Sequence, residues 1–149
     1  ALAAQELLQE QYGVAADVWS VTSYKELYRD AIAAERAHLL DPSSKREPWV
    51  AELLKKEKGV FVAASDYMKV MPAVISRWIP GRLHMLGTDG FGRSDDRASL
   101  RDFFEVDRRY IALAALHELA RDGDLDPKVA RQAVKDLDID PDKLDPHND

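Results

Sequence analysis

The densest chemical signal in the sequence is a glycine-rich run, Gly87-Thr88-Asp89-Gly90-Phe91-Gly92-Arg93-Ser94, followed by Asp95. It holds three of the chain's seven glycines and nearly matches G-x-x-x-x-G-K-[ST], whose backbone N–H groups cradle phosphate. A predicted strand precedes it and a predicted helix follows, and the carboxyl end of a parallel strand is where α/β proteins place binding sites. One hypothesis is therefore a stand-alone phosphate- or nucleotide-binding α/β module that uses residues 87–94.

Two residue types in this run argue against phosphate binding. Arg93 stands where the motif has lysine, and a rigid planar guanidinium does not replace a compact ammonium group. Asp89 adds a negative charge where the anion would sit. The alternative is a structural loop over residues 87–95, in which glycine supplies a positive φ and Ser94 or Asp95 caps the next helix.

The acidic C-terminal region alternates aspartates as a calcium loop does, but the required positions are wrong. Counting from Asp122, the sixth position is Pro127 where a calcium loop needs glycine, and the twelfth is Ala133 where it needs glutamate. Counting from Asp136 fails in the same way. Aspartate before proline is better explained as a helix cap with proline at the first helical position.

No catalytic or metal-binding motif is complete in this chain. His117-Glu118 starts like a zinc-protease helix, but Arg121 occupies the position of the second histidine. A G-x-S-x-G nucleophile turn and a Ser-x-x-Lys pair are also missing. The sequence therefore predicts no catalytic residue, no cofactor-binding residue and no metal ligand here.

Composition narrows the class of protein further. The chain has 149 residues, 21 basic and 27 acidic, for a net charge of −6, which argues against a nucleic-acid-binding domain. Without cysteine it can form neither disulfides nor thiolate metal sites. The longest apolar run, 111–116, is too short to span a bilayer, and no signal peptide opens the chain. We expect a cytoplasmic protein without membrane or nucleic-acid partners.

Hydrophobic patterning predicts helices separated by short strands. Strands are predicted at 16–22, which is rich in β-branched and aromatic residues, at 60–64, which is apolar throughout as a strand buried on both faces should be, and at 82–86. Helices are predicted over 1–12, 23–40, 49–58, 66–79, 95–104, 107–122 and from 127 onward. Asp66 is the expected cap of the fourth helix, where Pro72 predicts a kink or a late start. This order predicts an α/β fold of three layers, a mostly parallel sheet with helices on both faces.

Several longer motifs together carry a family resemblance. They are S-D-Y-M-K at 65–69, W-I-P-G-R at 78–82, L-G-T-D-G-F-G-R-S-D-D-R at 86–97 and F-F-E-V-D at 103–107, with D-V-W-S-V-T-S upstream at 17–23. They resemble the C-terminal part of the homodimeric bacterial-type pyruvate dehydrogenases, which belong to the transketolase superfamily. The resemblance covers essentially the whole chain.

The resemblance implies a transketolase-type C-terminal domain that lacks its first strand. Residues 1–149 would form this single domain, with 123–149 as an acidic helical C-terminal extension. The family's thiamine diphosphate and magnesium sit between the two upstream domains, in a signature that ends in paired asparagines. Asn148 is the only asparagine here, so we expect the chain itself to bind neither.

The function that the resemblance implies is that of a non-catalytic domain. The parent enzyme would decarboxylate pyruvate and reductively acetylate a lipoyl group on the dihydrolipoyl acetyltransferase of the complex. The domain would pack against its own upstream domains and stabilise a homodimer, with residues 87–95 in the packing surface. The phosphate-binding module and a free-standing regulatory module of flavodoxin type stay open as alternatives.

Overall fold

The fold places two short parallel strands between two layers of helices. The computed structural model describes residues 1–148. Its elements in chain order are α1 (Leu2–Tyr12), α2 (Tyr24–Leu40), α3 (Trp49–Leu54), β1 (Phe61–Ala64), α4 (Val70–Ala73), a single 3₁₀ turn (Ser76–Trp78), β2 (Leu83–Leu86), α5 (Arg97–Phe103), α6 (Arg108–Asp122) and α7 (Pro127–Asp136).

The two strands pair in parallel, with Phe61 opposite Leu83 and Ala64 opposite Leu86. Because side chains alternate between the faces of a sheet, Phe61 and Leu83 point to one side and Val62 to the other. Phe61 and Leu83 pack against an apolar cluster from α3 and the segment after α4, composed of Val50, Leu54, Ile75 and Ile79.

The opposite face of the sheet is covered by α1, α6 and α7. Val62 packs against a second cluster, centred on the fully buried Leu116 of α6 and composed of Leu7, Leu8, Ala112, Ala115, Leu116, Ala133 and Leu137. The predicted three-layer α/β class and the parallel strand pair are therefore confirmed.

Three of the seven predicted helices begin at the capping residue that the sequence indicated. The Ser23 hydroxyl accepts the Glu26 N–H at 3.2 Å and begins α2. Asp107 caps α6, and Asp126 caps α7 ahead of Pro127, as predicted. Side-chain acceptors satisfy N–H groups that the first helical turn leaves without a partner, so these starts are encoded locally.

The predicted strand at 16–22 is wrong. The segment forms no strand, and its apolar residues Val18, Trp19 and Val21 are exposed. Strand propensity reports how well a residue fits a half-buried pleated surface, and strand formation also needs a neighbouring backbone. Within residues 1–148 no strand lies beside this segment, so the sheet has two strands rather than three.

Several predicted details of the elements also need correction. Helix α3 ends at Leu54 rather than at residue 58, and β1 is half-buried rather than buried on both faces. Pro72 accompanies a late start, since α4 covers only Val70–Ala73, and no side chain caps it. Asp66, its predicted cap, instead pairs with Arg101. Asp96, rather than Ser94 or Asp95, caps α5.

No helix within the described part of the chain combines the length and the apolar character needed to cross a membrane.

Candidate functional site

The glycine-rich loop lies at the carboxyl end of the parallel strands, as predicted. Strand β1 ends at Ala64 and β2 ends at Leu86, directly opposite it. The segments that follow, 65–69 and 87–95, therefore meet at one edge of the sheet, which we call the carboxyl edge. Two backbone hydrogen bonds join them, from Ser65 N–H to the Leu86 carbonyl at 3.1 Å and from Thr88 N–H to the Tyr67 carbonyl at 3.0 Å.

Close backbone packing explains Gly87. A Cβ atom at this position would lie 2.6 Å from the Tyr67 carbonyl oxygen and 2.8 Å from the Lys69 nitrogen. Both are backbone atoms held by the loop's own hydrogen bonds, so they cannot move aside as a flexible side chain would. Glycine is thus needed at Gly87 for close approach rather than for backbone freedom.

The Asp89 side chain connects the two loops of the carboxyl edge. Its carboxylate accepts the backbone N–H of Lys69 at 3.1 Å, which ties the second loop to the first. The Thr88 hydroxyl adds a longer hydrogen bond of 3.3 Å to the Asp66 carbonyl. Both side chains therefore shape the two loops.

The C-terminal tail, residues 137–148, packs against the same loop. Gly90 has a φ of +91°, and a Cβ there would lie 2.2 Å from the Pro146 carbonyl oxygen. Further along the tail, Lys143 Nζ donates to the carbonyls of Asp102 and Phe103 at 2.5 and 3.1 Å. The tail thus holds both the loop and the end of α5.

Gly92 differs from the other two loop glycines. Its φ is not positive, and a Cβ built on it would meet nothing within 4 Å. Of the three, only Gly90 has the positive φ that the sequence predicted, and Gly92 has no structural requirement for glycine.

Several exposed apolar side chains lie on the two loops of the carboxyl edge. Phe91, at the tip of the glycine-rich loop, is 81% exposed, and Tyr67 is 58% exposed. Met68 and Val70 are also exposed on the adjoining segment. Aromatic and methionine side chains are typical of interface cores, and clustered exposed ones mark interaction surfaces.

The end of the loop does not offer a phosphate site. Helix α5 has its first N–H groups already bound, because the Asp96 carboxylate accepts from Ala98 N–H at 2.8 Å and from Ser99 N–H at 3.1 Å. A phosphate would need these donors and would be repelled by this charge. Arg93 lies with its guanidinium carbon 4.0 Å from the Phe103 ring centre, beside a depression of about 250 Å³ that Ser94 and Asp95 also line.

An ion pair links the first loop to α5. The Asp66 carboxylate accepts from Arg101 Nη2 at 2.8 Å, and the Arg101 hydrogen bond holds the pKa of Asp66 below its usual value. Both side chains are largely exposed, so the pair adds little to the free energy of unfolding. Its effect is to orient the loop that carries Tyr67 and Met68.

A second polar cluster, on the α6 face of the sheet, was missed by sequence reasoning. Glu118 is 4% exposed and accepts from Arg82 Nε at 3.0 Å and from His84 Nδ1 at 3.1 Å. Arg82 also pairs with Asp122. These hydrogen bonds, that of His84 above all, lower the pKa of Glu118 against the opposing effect of burial. Only the helical spacing of Glu118 and Asp122 was visible in the sequence.

Within residues 1–148, no three side chains of the kinds that bind metals come together as a candidate metal-ligand group. The aspartates that resembled calcium loops have local roles, of which the α7 cap of Asp126 is the clearest. His117 packs edge-on against His84, with the two ring centres 6.3 Å apart. It is not paired with a second histidine on its own helix, as a zinc-protease helix would require.

Comparison with known proteins decides the family. Residues 1–107 match the transketolase-like TK C-terminal domain family. The chain belongs to this family. The transketolase-like domain therefore accounts for the parallel strands, the carboxyl edge and the helices up to α5.

Three curated relatives of this transketolase-like domain carry the same name. The chain is 48% identical over 145 residues to the pyruvate dehydrogenase E1 component of Pseudomonas aeruginosa and 44% identical over 145 residues to that of Escherichia coli K12. It is 43% identical over 141 residues to that of Mycobacterium tuberculosis. These matches cover 94–96% of the chain but only 15–16% of each relative. The resemblance noted from the motifs is therefore confirmed, and the chain spans about one sixth of the relatives' length.

Proposed function

We propose that this chain is the C-terminal domain of a bacterial pyruvate dehydrogenase first component, and that it serves packing rather than chemistry. The observation that carries this proposal is the identity of 42–48% to proteins of that name over 96–97% of the chain. The parent enzyme would decarboxylate pyruvate and reductively acetylate a lipoyl group on the dihydrolipoyl acetyltransferase. It would work as a cytoplasmic homodimer.

Thiamine diphosphate and magnesium would be held outside this domain. Diphosphate and Mg²⁺ need free backbone N–H donors and free carboxylates, respectively. At the carboxyl edge, the Asp89 and Asp96 carboxylates already accept backbone N–H groups, and Asp66 pairs with Arg101. The donor set at the carboxyl edge therefore does not fit the cofactor, and no chemical step is assigned to its residues.

The carboxyl edge would be the surface that packs on the rest of the enzyme. Its two loops are fixed against each other by backbone hydrogen bonds, by Asp89 and by the close approach at Gly87. This rigid support holds the Phe91 ring almost fully exposed. Burying such a ring in a partner surface stabilises an interface without an entropic cost for ordering the loop.

The parent activity is tested on the native-length protein that carries this chain. Pyruvate-dependent release of carbon dioxide should require added thiamine diphosphate and Mg²⁺. Reductive acetylation of a lipoyl domain should follow. A native-length protein that is fully loaded with both cofactors and does not turn over pyruvate would contradict the proposal.

The packing role is tested by changing Phe91 to Ser, with Leu39→Ser as the matched control. Leu39 is 82% exposed at the end of α2 and belongs to neither loop of the carboxyl edge. Loss of one buried aromatic anchor should weaken the dimer or the domain contact by about 2 kcal/mol or more. Sedimentation equilibrium and turnover at limiting protein concentration measure this. Equal behaviour of the two variants would remove the carboxyl edge from the interface.

A further inference from the structure

A groove runs along α6 and is lined on one side by α7. It has a volume of about 760 Å³, is open to solvent, and its exposed lining is mainly carbon. The sheet borders it through His84 and Leu86 of β2. None of this is required by the packing role of the carboxyl edge.

Residues of two helices line the groove as two stripes. The α6 residues that line it recur at intervals of three and four, so they form one helical stripe: Tyr110, Leu113, Ala114, His117, Ala120 and Arg121. The α7 residues show the same spacing: Pro127, Ala130, Arg131 and Val134. At a rise of about 1.5 Å per residue the α6 stripe is about 16 Å long, which matches about three turns of a partner helix.

Small side chains on both helices make room for that partner. Ala114, Ala120 and Ala130 keep the surface between the stripes low, which allows another helix to approach closely. No segment within residues 1–148 fills this groove, because its volume is empty and open to solvent.

The charges around the groove select the kind of helix. Arg131 makes no ion pair within residues 1–148, and Arg121 makes only a long contact of 3.8 Å with Glu118. Glu105 is the one carboxylate in the lining, and it contacts Lys143 at 3.7 Å. In a chain with a net charge of −6, this is a local positive rim around an apolar surface. Complementary charge at a rim steers and orients a partner.

We propose that the α6–α7 groove binds an amphipathic helix of a partner protein, with an apolar face that lies on the alanines and acidic residues that meet Arg121 and Arg131. The binding mode is the helix-in-groove mode, with apolar anchors at i, i+3, i+4 and i+7. This inference is independent of the role of the carboxyl edge.

The probe is a fluorescein-labelled peptide of about four helical turns, with leucines at i, i+3, i+4 and i+7 and glutamates elsewhere. A peptide with lysine in place of every glutamate is the comparison. Fluorescence anisotropy is measured with the native-length protein at about 0.15 M salt, where charges separated by more than about 8 Å are largely screened. The acidic peptide should bind and the basic peptide should bind at least about tenfold more weakly.

Two substitutions test the site itself. Arg131→Glu should weaken binding about tenfold or more, whereas Lys128→Glu, the same charge change on α7 but outside the groove lining, should change it less than about threefold. Ala130→Trp should fill the groove and abolish binding, with an unchanged circular dichroism spectrum as the check on folding. Lys128→Glu matching Arg131→Glu, or full binding by Ala130→Trp, would overturn the site.

Other occupants give distinguishable results, and each overturns the proposal. Self-association that Arg131→Glu abolishes would make the groove an interface between two copies of this chain. Binding to phosphatidylglycerol vesicles without peptide binding would make it a membrane contact. Failure of the acidic peptide to bind at about 1 mM, where binding free energy is only about −4 kcal/mol, would show that the groove takes no such helix.

Discussion

At the scale of single residues, the carboxyl edge separates a required glycine from a replaceable one. Gly87 and Gly92 belong to the same loop, and neither has a positive φ. Only Gly87 lies against backbone atoms, the Tyr67 carbonyl and the Lys69 nitrogen. The two positions therefore differ in the room available for a Cβ rather than in backbone conformation.

Replacing Gly87 by Ala should consequently destabilise the fold, while Gly92→Ala should not. Forcing a methyl group within 3 Å of two backbone atoms separates the loops and costs about 1–3 kcal/mol of unfolding free energy. The Gly92 change should stay within about 0.5 kcal/mol. Urea unfolding of both variants measures the difference, and equal midpoints would show that the two loops move apart freely.

A second prediction at the residue scale concerns the contribution of Glu118 to the free energy of unfolding. Hydrogen bonds from His84 and Arg82 lower the pKa of Glu118 in the folded protein. A group with a depressed pKa adds stability above its unfolded pKa, and this contribution is lost as pH falls through the lower folded value. At neutral pH, Glu118→Gln should cost about 2 kcal/mol, since charged hydrogen bonds become neutral ones. Below its usual pKa of 4.5 the difference between the two proteins should shrink toward zero.

Chemical denaturation at several pH values measures this difference, with Glu26→Gln as the control. Glu26 pairs with Arg29 on the surface, where both side chains are more than 60% exposed. That change should alter the unfolding free energy by less than about 1 kcal/mol at any pH. A Glu118→Gln cost that persists at acid pH would show that the carboxylate's charge is not what stabilises the cluster.

At the scale of elements, the sequence predicted the features that residues close together in the chain determine, namely helix starts and the position of the glycine loop. Ser23, Asp107 and Asp126 cap helices whose starts need only a side chain and the next turn. The location of the glycine loop at a strand end was likewise visible, because the predicted strand at 82–86 precedes it directly. These are short-range relations along the chain.

The features that the sequence predicted wrongly or did not predict at all depend on distant parts of the chain. A strand at 16–22 would need a neighbouring strand, and its β-branched residues cannot supply one. The Lys143 amine binds carbonyls about 40 residues earlier, and Pro146 lies against Gly90. Asp66 likewise pairs with Arg101 instead of capping the helix that follows it. No local pattern marks such contacts, so the tail and the setting of the carboxyl edge could not be predicted.

At the scale of the whole molecule, the core extends beyond the residues that match the family. The match ends at residue 107, just before α6 begins at Arg108. Yet the larger core cluster joins Leu7 and Leu8 of α1 to Ala112 and Leu116 of α6, Ala133 of α7 and Leu137 just after α7. The predicted acidic extension, 123–149, thus includes residues on which the first helix packs.

Ending the native-length protein after Asp107 should therefore unfold this domain, whereas ending it after Ile139 should not. The first truncation removes Leu116, which is fully buried, and exposes the apolar sides of α1 and β1. Loss of several core side chains at about 2–5 kcal/mol each exceeds the stability of a typical domain. The second truncation keeps α6, α7 and Ile139, and among residues 140–148 the contacts that it removes include those of Lys143 and Pro146. Hydrogen exchange of the α1 and β1 amides measures the result. Equal protection in both truncated proteins would show that the family-matched residues hold their own core.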